Sequence, residues 1–79
     1  MADIDQVLDC KGMNCPMPIV ALTRTIKTMQ AGQRLEIEAN DLAFKMDLEA
    51  WSRRTGNEIE SFVDGEVQKA IILVAEKAS

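Results

Sequence analysis

A single cysteine followed by two prolines at alternate positions, Cys15-Pro16-Met17-Pro18, constrains this chain more than any other feature. Each proline fixes its φ angle near the helical value and removes a backbone N–H. Because proline is favoured at the first position of a helix, the pattern predicts Cys15 as the N-cap and Pro16 as the first helical residue. The thiol is then expected at the positive end of a helix, where the amides of Met17 and Ile19 would face the sulfur.

The patterns on either side of this motif alternate between strand and helix. Ile4 to Cys10 alternates in polarity and predicts a first strand, with Gly12 marking the turn that leaves it. From Pro16 to Met29 apolar residues recur at helical spacing, and Gly32 is expected to end this helix as its C′ residue. Arg34 to Ala39 alternates cleanly and predicts a second strand.

The second half of the chain repeats the helix and adds two strands. Asn40 or Asp41 is expected to cap a second helix, which stops at Gly56. Two final strands are predicted at roughly Glu58 to Val63 and Glu66 to Val74.

The predicted fold class is α/β, as an α+β two-layer sandwich with the order βαβαββ. Asp64-Gly65 between the last two strands indicates a tight hairpin, which adds an antiparallel strand. The two βαβ crossovers imply parallel pairings. A mixed four-stranded sheet with both helices on one face satisfies these constraints.

Length and composition predict one domain, residues 1–79, near the lower size limit for a self-sufficient core. The N-terminal residues are polar and acidic, so no secretory signal is expected. The longest apolar run, Ala70 to Ala75, is too short to cross a bilayer, and no membrane association is predicted. Two cysteines in such a chain favour a reduced thiol in a cytoplasmic protein over a disulfide framework.

The charge balance and the absence of histidine exclude several functions. With 13 acidic and 9 basic residues, a net charge of −4 and only three aromatic residues, the chain is poorly suited to direct nucleic-acid binding. Without histidine there is no Cys-His pair for hydrolysis. Two cysteines also fall short of the four ligands of a structural zinc site, so no metal is predicted unless a dimer shares four cysteines. These exclusions favour a thiol that exchanges or carries sulfur.

Cys15 is interpreted as a functional thiol. It lies at a loop-to-helix junction outside the periodic apolar positions, and Gly12 and Asn14 make its approach open and polar. The helix N-terminus contributes about 0.3–1 kcal/mol, so a thiol with a pKa of about 8.5 stays mostly protonated at neutral pH. Lys11 is expected to add some positive potential. A persulfide is more acidic and would be largely ionised at this position.

Cys10 is interpreted as a small buried residue, because it shares a strand face with Leu8. The alternative is a resolving thiol for Cys15, since four intervening residues permit closure in principle.

Four residues are candidates for partner docking: Met13 and Met17 beside the thiol, and more weakly Arg53 and Arg54. Asp41 and Asp47 are interpreted as a helix cap and a first-turn carboxylate.

The strand, Leu8-Asp9, Gly12, the Cys-Pro-x-Pro element and the Asp47/Trp51/Gly56 spacing together make the chain resemble the TusA/SirA-like sulfur carrier family. The likeness extends from Val7 to about Val74. It implies a two-layer βαβαββ sandwich and a persulfide held on Cys15, with Gly12, Pro16 and Pro18 as supporting residues. The chain differs from many members at Asp41-Leu42-Ala43, where Asp-Pro is common, and at Met17, where some carry glutamate.

The resemblance also implies partners. Family members take sulfur from a cysteine desulfurase or a rhodanese and pass it to DsrE-type acceptors, for tRNA thiolation, molybdenum cofactor synthesis or sulfur oxidation. We therefore expect a sulfur carrier that needs no cofactor beyond the covalent persulfide and is a monomer in isolation. It would act stoichiometrically in a sulfurtransferase relay, which leaves its status as an enzyme open. The alternatives are a regulatory interaction domain and a dithiol redox protein using Cys10 and Cys15.

Overall fold

The computed structural model describes residues 4–76 and contains two helices and one four-stranded mixed sheet. This confirms the predicted α+β class and the βαβαββ order. The elements in chain order are β1 (Gln6–Asp9), α1 (Met17–Ile26), β2 (Arg34–Ala39), α2 (Phe44–Thr55), β3 (Glu58–Val63) and β4 (Gln68–Leu73).

The strands lie in the order β1-β2-β4-β3. Strands β1 and β2 pair in parallel, as the first crossover predicts, and β4 runs antiparallel to both of its neighbours. The expectation of a second parallel pairing is wrong, because β4 lies between β2 and β3. Strands β2 and β3 run in the same direction, but they do not pair with each other. Each of them pairs with β4 instead.

Both helices cover the same face of the sheet. The inward positions of the central strands alternate with outward ones, as the period of a strand requires. The outward residues of β2 are all charged, whereas those of β4 include Ile71 and Leu73. The core combines these positions with the apolar stripes of the two helices. Its buried residues are Cys10, Leu22, Ile26, Met29, Leu35, Ile37, Ala39, Phe44, Leu48, Trp51, Ala70, Ile72 and Val74.

Helix α1 is shorter than the sequence pattern predicts. It ends at Ile26 with Lys27 as the C-cap, and the amides of Thr28 and Met29 bond three residues back instead of four. This tightening keeps Met29 buried although it lies beyond the helix. Gly32 is therefore not the C′ residue. It has a positive φ in the turn before β2, where its N–H donates to the Val74 carbonyl.

The start of α2 also differs from the prediction. Ala43 is the N-cap, and among the described residues no side chain caps this end. The Asn40 side chain accepts a hydrogen bond from the Gly12 amide instead, and the Asp41 carbonyl accepts from Phe44. The predicted end at Gly56 is confirmed, because this glycine is the C-cap with a left-handed φ of 83°.

The connection between β3 and β4 is wider than the predicted tight hairpin. Pairing stops at Val63 opposite Lys69, so residues 64–67 form the turn. A two-residue turn of the favoured type requires positive φ angles, and Gly65 does not have one. Strand β4 consequently begins at Gln68, two residues later than predicted. Strand β1 is also shorter than predicted, because it begins at Gln6 and ends at Asp9. The bounds of β2 and β3 are as predicted.

Within residues 4–76, neither helix is long and apolar enough to cross a membrane.

Candidate functional site

The site forms where β1 and β2 end and the two helices begin. Because β1 and β2 are parallel, the loops that follow them leave the same edge of the sheet. Gly12, in the first loop, has a φ of 85°, a conformation that side chains disfavour, and its amide donates to Asn40 Oδ1 in the second loop at 3.0 Å. This bond joins the loop that carries Cys15 to the loop that leads into α2.

Cys15 is exposed, as predicted, but it is not the N-cap of α1. Pro16 occupies that position after a cis Cys15–Pro16 peptide, and the helix begins at Met17. The Met17 amide donates to the Asn14 carbonyl and the Ile19 amide to the Pro16 carbonyl. The amides expected to face the sulfur are therefore already paired with backbone oxygens.

The sulfur instead faces carboxylates from the second helix and the loop before it. The Cys15 thiol donates to Asp47 Oδ2, with 2.7 Å between the sulfur and the oxygen. Cys15 Sγ and one oxygen from each of Asp41 and Asp47 lie within 4.8 Å of one another. Asp47 lies in the first turn of α2, as predicted, but its contact with the thiol was not foreseen.

These carboxylates raise the pKa of the Cys15 thiol above its ordinary value. The hydrogen bond to Asp47 is the largest cause, followed by desolvation and by the charges of Asp47 and Asp41. The expected slight lowering by the helix N-terminus is therefore wrong in direction. Lys11 does not offset the carboxylates, because its ammonium pairs with Glu38 at 3.0 Å and with Asp9 at 3.3 Å.

Both carboxylates could have been found from the predicted topology. Two successive β-strand-to-helix units with parallel strands place both helix starts at one sheet edge, where ligands of open α/β sheets bind. Asp41 and Asp47 lie on either side of the second helix start, and Cys15 lies beside the first. Each residue was interpreted within its own helix, so the juxtaposition was missed.

A groove between the helices begins at Cys15. Its first part encloses about 210 Å³ and is lined by Cys15, Pro16, Ile19, Asp47, Ala50 and Arg54. It adjoins a second depression of about 400 Å³, lined by Pro16, Ile19, Val20, Thr23, Arg24, Lys27 and Arg54. The groove therefore has the acidic residue Asp47 near the thiol and the basic residue Arg54 further along.

The other candidate residues have different surroundings. Met17 is 48% exposed beside the thiol, whereas Met13 is half-buried and packs on the core. Pro18 is the second residue of α1 and is buried. Arg53 and Arg54 are both exposed, but only Arg54 lines the groove.

Cys10 is fully buried and free, and burial raises the pKa of its thiol, with the Asp9 charge as a second cause. Its amide donates to the Glu38 carbonyl, which extends the pairing of β1 with β2. The interpretation of Cys10 as a core residue is confirmed.

The fold and the site together define a small two-layer domain that presents an exposed cysteine at a helix start. Residues 6–75 match the family described as Sulfurtransferase TusA, and the chain belongs to this family. Over 59 residues it is 44% identical to the sulfur carrier protein TusA of Allochromatium vinosum, covering 75% of this chain and 78% of that protein.

One further relative agrees with this membership, and one solved structure agrees with the fold. The chain is 42% identical over 66 residues to the putative sulfur carrier protein YrkI of Bacillus subtilis, covering 82% of this chain and 88% of that one. The crystal structure of a SirA-like protein from Desulfitobacterium hafniense has the same fold. Its TM-score is 0.76 at 18% identity, covering 90% of this chain and 99% of that one. A sulfur carrier role follows from the family and its named relatives.

Proposed function

We propose that this protein carries sulfane sulfur as a persulfide on Cys15. The observation that supports this most directly is the exposed Cys15 thiol at the mouth of a groove, in a chain of the TusA family. Loading forms a bond between the Cys15 sulfur and the outer sulfur of a donor persulfide while the donor's S–S bond breaks. An acceptor cysteine then takes the outer sulfur in the same way. No metal or cofactor is needed for either step.

The direct test is mass spectrometry of the intact protein after incubation with polysulfide or with a persulfidated donor protein. We expect a gain of one sulfur atom, located on the peptide that contains Cys15 and removed by a thiol reductant. An interaction domain would stay unmodified, and a dithiol redox protein would instead lose two hydrogens. Either of those two outcomes would contradict the proposed function.

The proposed partners are a cysteine desulfurase or rhodanese as donor and a DsrE-like protein as acceptor. They would dock on the surface around the thiol, since an acceptor cysteine must reach bonding distance of the carried sulfur. Met17 and the groove lie on this surface, and the segment carrying Asp41 and Asp47 adds the exposed apolar side chains of Leu42 and Met46. Exposed methionines adapt to differently shaped partners.

Two free cysteines suit a reducing cytoplasmic compartment.

Met17→Glu is expected to slow sulfur transfer from a donor protein severalfold while leaving loading by polysulfide nearly unchanged. The added charge sits on the docking surface but forms no part of the bond exchange. Val63→Glu is the matched control, because Val63 is 60% exposed at the end of β3, on a different element from the thiol. If Met17→Glu changes both loading routes in parallel, Met17 acts on the thiol and not through docking.

Cys10→Ala is expected to keep sulfur loading while costing about 1–2 kcal/mol of stability, the scale of a small core truncation. The reason is that Cys10 is fully enclosed by the core, whereas Cys15 is exposed. Loading is measured by intact mass and stability by urea unfolding. A folded Cys10→Ala protein that no longer accepts sulfur would establish a mechanism using both thiols.

A further inference from the structure

The groove that begins at Cys15 has opposite charges along one face of α2. Asp47, Ala50 and Arg54 line it at spacings of three and four residues, so all three lie on the same side of the helix. The thiol is hydrogen-bonded at the Asp47 end. Asp41 adds a second carboxylate there, and among residues 4–76 its buried Oδ2 has no hydrogen-bond partner.

The carboxylates interact favourably with the empty cysteine and unfavourably with the loaded one. A neutral thiol has a proton to donate, and the Asp47 carboxylate accepts it. A persulfide anion has no such proton and carries a negative charge. Two carboxylates within 4.8 Å of the sulfur would therefore repel it, while the Arg54 guanidinium in the same groove would attract it.

We propose that Asp47, reinforced by Asp41, is a positioning residue that holds the empty carrier as a neutral thiol and displaces the sulfur toward Arg54 once a persulfide is formed. This inference rests on the proposed function and deepens it. A partner would then meet two different surfaces: a thiol retained against α2, and an outer sulfur pushed along the groove. Partners can thus distinguish the loaded carrier from the empty one.

The chemistry balances without an added oxidant or reductant. The Cys15 sulfur bonds to the outer sulfur of the donor, the donor's S–S bond breaks, and the donor leaves as a thiol. The number of S–H bonds is unchanged, since one thiol and one persulfide give one persulfide and one thiol. The new Cys15 persulfide then releases its S–H proton to solvent, because a persulfide is a stronger acid than a thiol.

The empty state is tested by the rate of Cys15 alkylation with iodoacetamide as a function of pH, using unloaded protein. Asp47→Asn should lower the pKa of Cys15, because the main cause of its elevation is removed. At neutral pH each unit of that shift should speed alkylation about threefold, since the tenfold gain in thiolate is partly offset by weaker nucleophilicity. Asp47→Glu, which keeps the charge, should restore most of the elevated pKa.

Glu49→Gln is the matched control, because it removes one exposed carboxylate from α2 away from the groove. Its titration curve should match that of the unaltered protein. If the Asp47→Asn protein shows no helical circular dichroism signal, Asp41→Asn provides the same test. Its effect on the pKa of Cys15 should be smaller. Equal titration curves for a folded Asp47→Asn protein and Glu49→Gln would overturn the proposal. This result does not depend on whether the protein carries sulfur.

The loaded state is tested by NMR of the isotope-labelled protein before and after loading with polysulfide. The Arg54 Nε–H signal should shift on loading, because the persulfide anion moves toward this guanidinium. A protein that gains sulfur on Cys15 without any change at Arg54 would contradict the displacement. A protein that gains no sulfur would contradict the proposed function itself, and with it the loaded state.

Discussion

Replacing Cys15 with serine is expected to abolish sulfur loading completely, from a donor protein and from polysulfide alike. Serine cannot form the S–S bond on which the proposed carrier chemistry depends. The fold should be unaffected, because Cys15 is exposed and a serine hydroxyl can still donate to Asp47. Intact mass after incubation with a donor measures the effect, and far-UV circular dichroism checks the fold.

Cys10→Ala is the paired control for this loss, since it removes the other thiol from the core and leaves Cys15 in place. A Cys15→Ser protein that still gained sulfur would show that Cys10 can be loaded. The assignment of the carrier site to Cys15 would then be wrong.

The largest expected effect on stability is that of Trp51→Ala, about 3–5 kcal/mol. Trp51 is among the largest fully buried side chains, and its indole N–H donates to Thr23 Oγ1 at 3.1 Å, which links α2 to α1. A single core in a chain of about this size rarely supplies more than about 3–5 kcal/mol of stability, so a substantial fraction of this variant should be unfolded at 37 °C. Urea unfolding followed by circular dichroism measures the loss without relying on tryptophan fluorescence.

Trp51→Phe separates packing from hydrogen bonding at the same position. It keeps most of the aromatic volume and removes only the bond to Thr23, worth about 0.5–1.5 kcal/mol, plus a small cavity. The phenylalanine variant should therefore be much more stable than the alanine variant. Equal losses for the two would mean that the hydrogen bond, and not the packing of the ring, dominates the contribution of Trp51.

Features that depend on neighbouring residues were predicted well. The alternation in Arg34 to Ala39 and in Glu58 to Val63 defined two strands at their observed bounds, and Gly56 ended α2 as expected. Helix caps were predicted less well. Asn40 or Asp41 was expected to cap α2, but neither side chain does, and that of Asn40 accepts from the Gly12 amide, 28 residues away. A cap can be lost to a distant partner that local sequence does not reveal.

The order of the strands illustrates a second limit. The sequence predicted the parallel pairing of β1 with β2 and the antiparallel pairing of β3 with β4. The insertion of β4 between β2 and β3 depends on which apolar faces can be buried together under both helices. That choice compares packings of the whole chain, and no local pattern contains it.

The exposure of one cysteine beside a helix start could be predicted from sequence, because Cys15 falls outside every apolar periodicity and precedes a proline-stiffened turn. The electrostatics of that thiol depend on how the chain packs. The sequence pointed to helix amides, but these bond to nearby carbonyls, and the sulfur faces Asp47, 32 residues further along the chain. A hydrogen bond and a charge act through space and not along the chain. The pKa of Cys15 therefore depends on the packing that brings the two helix starts together.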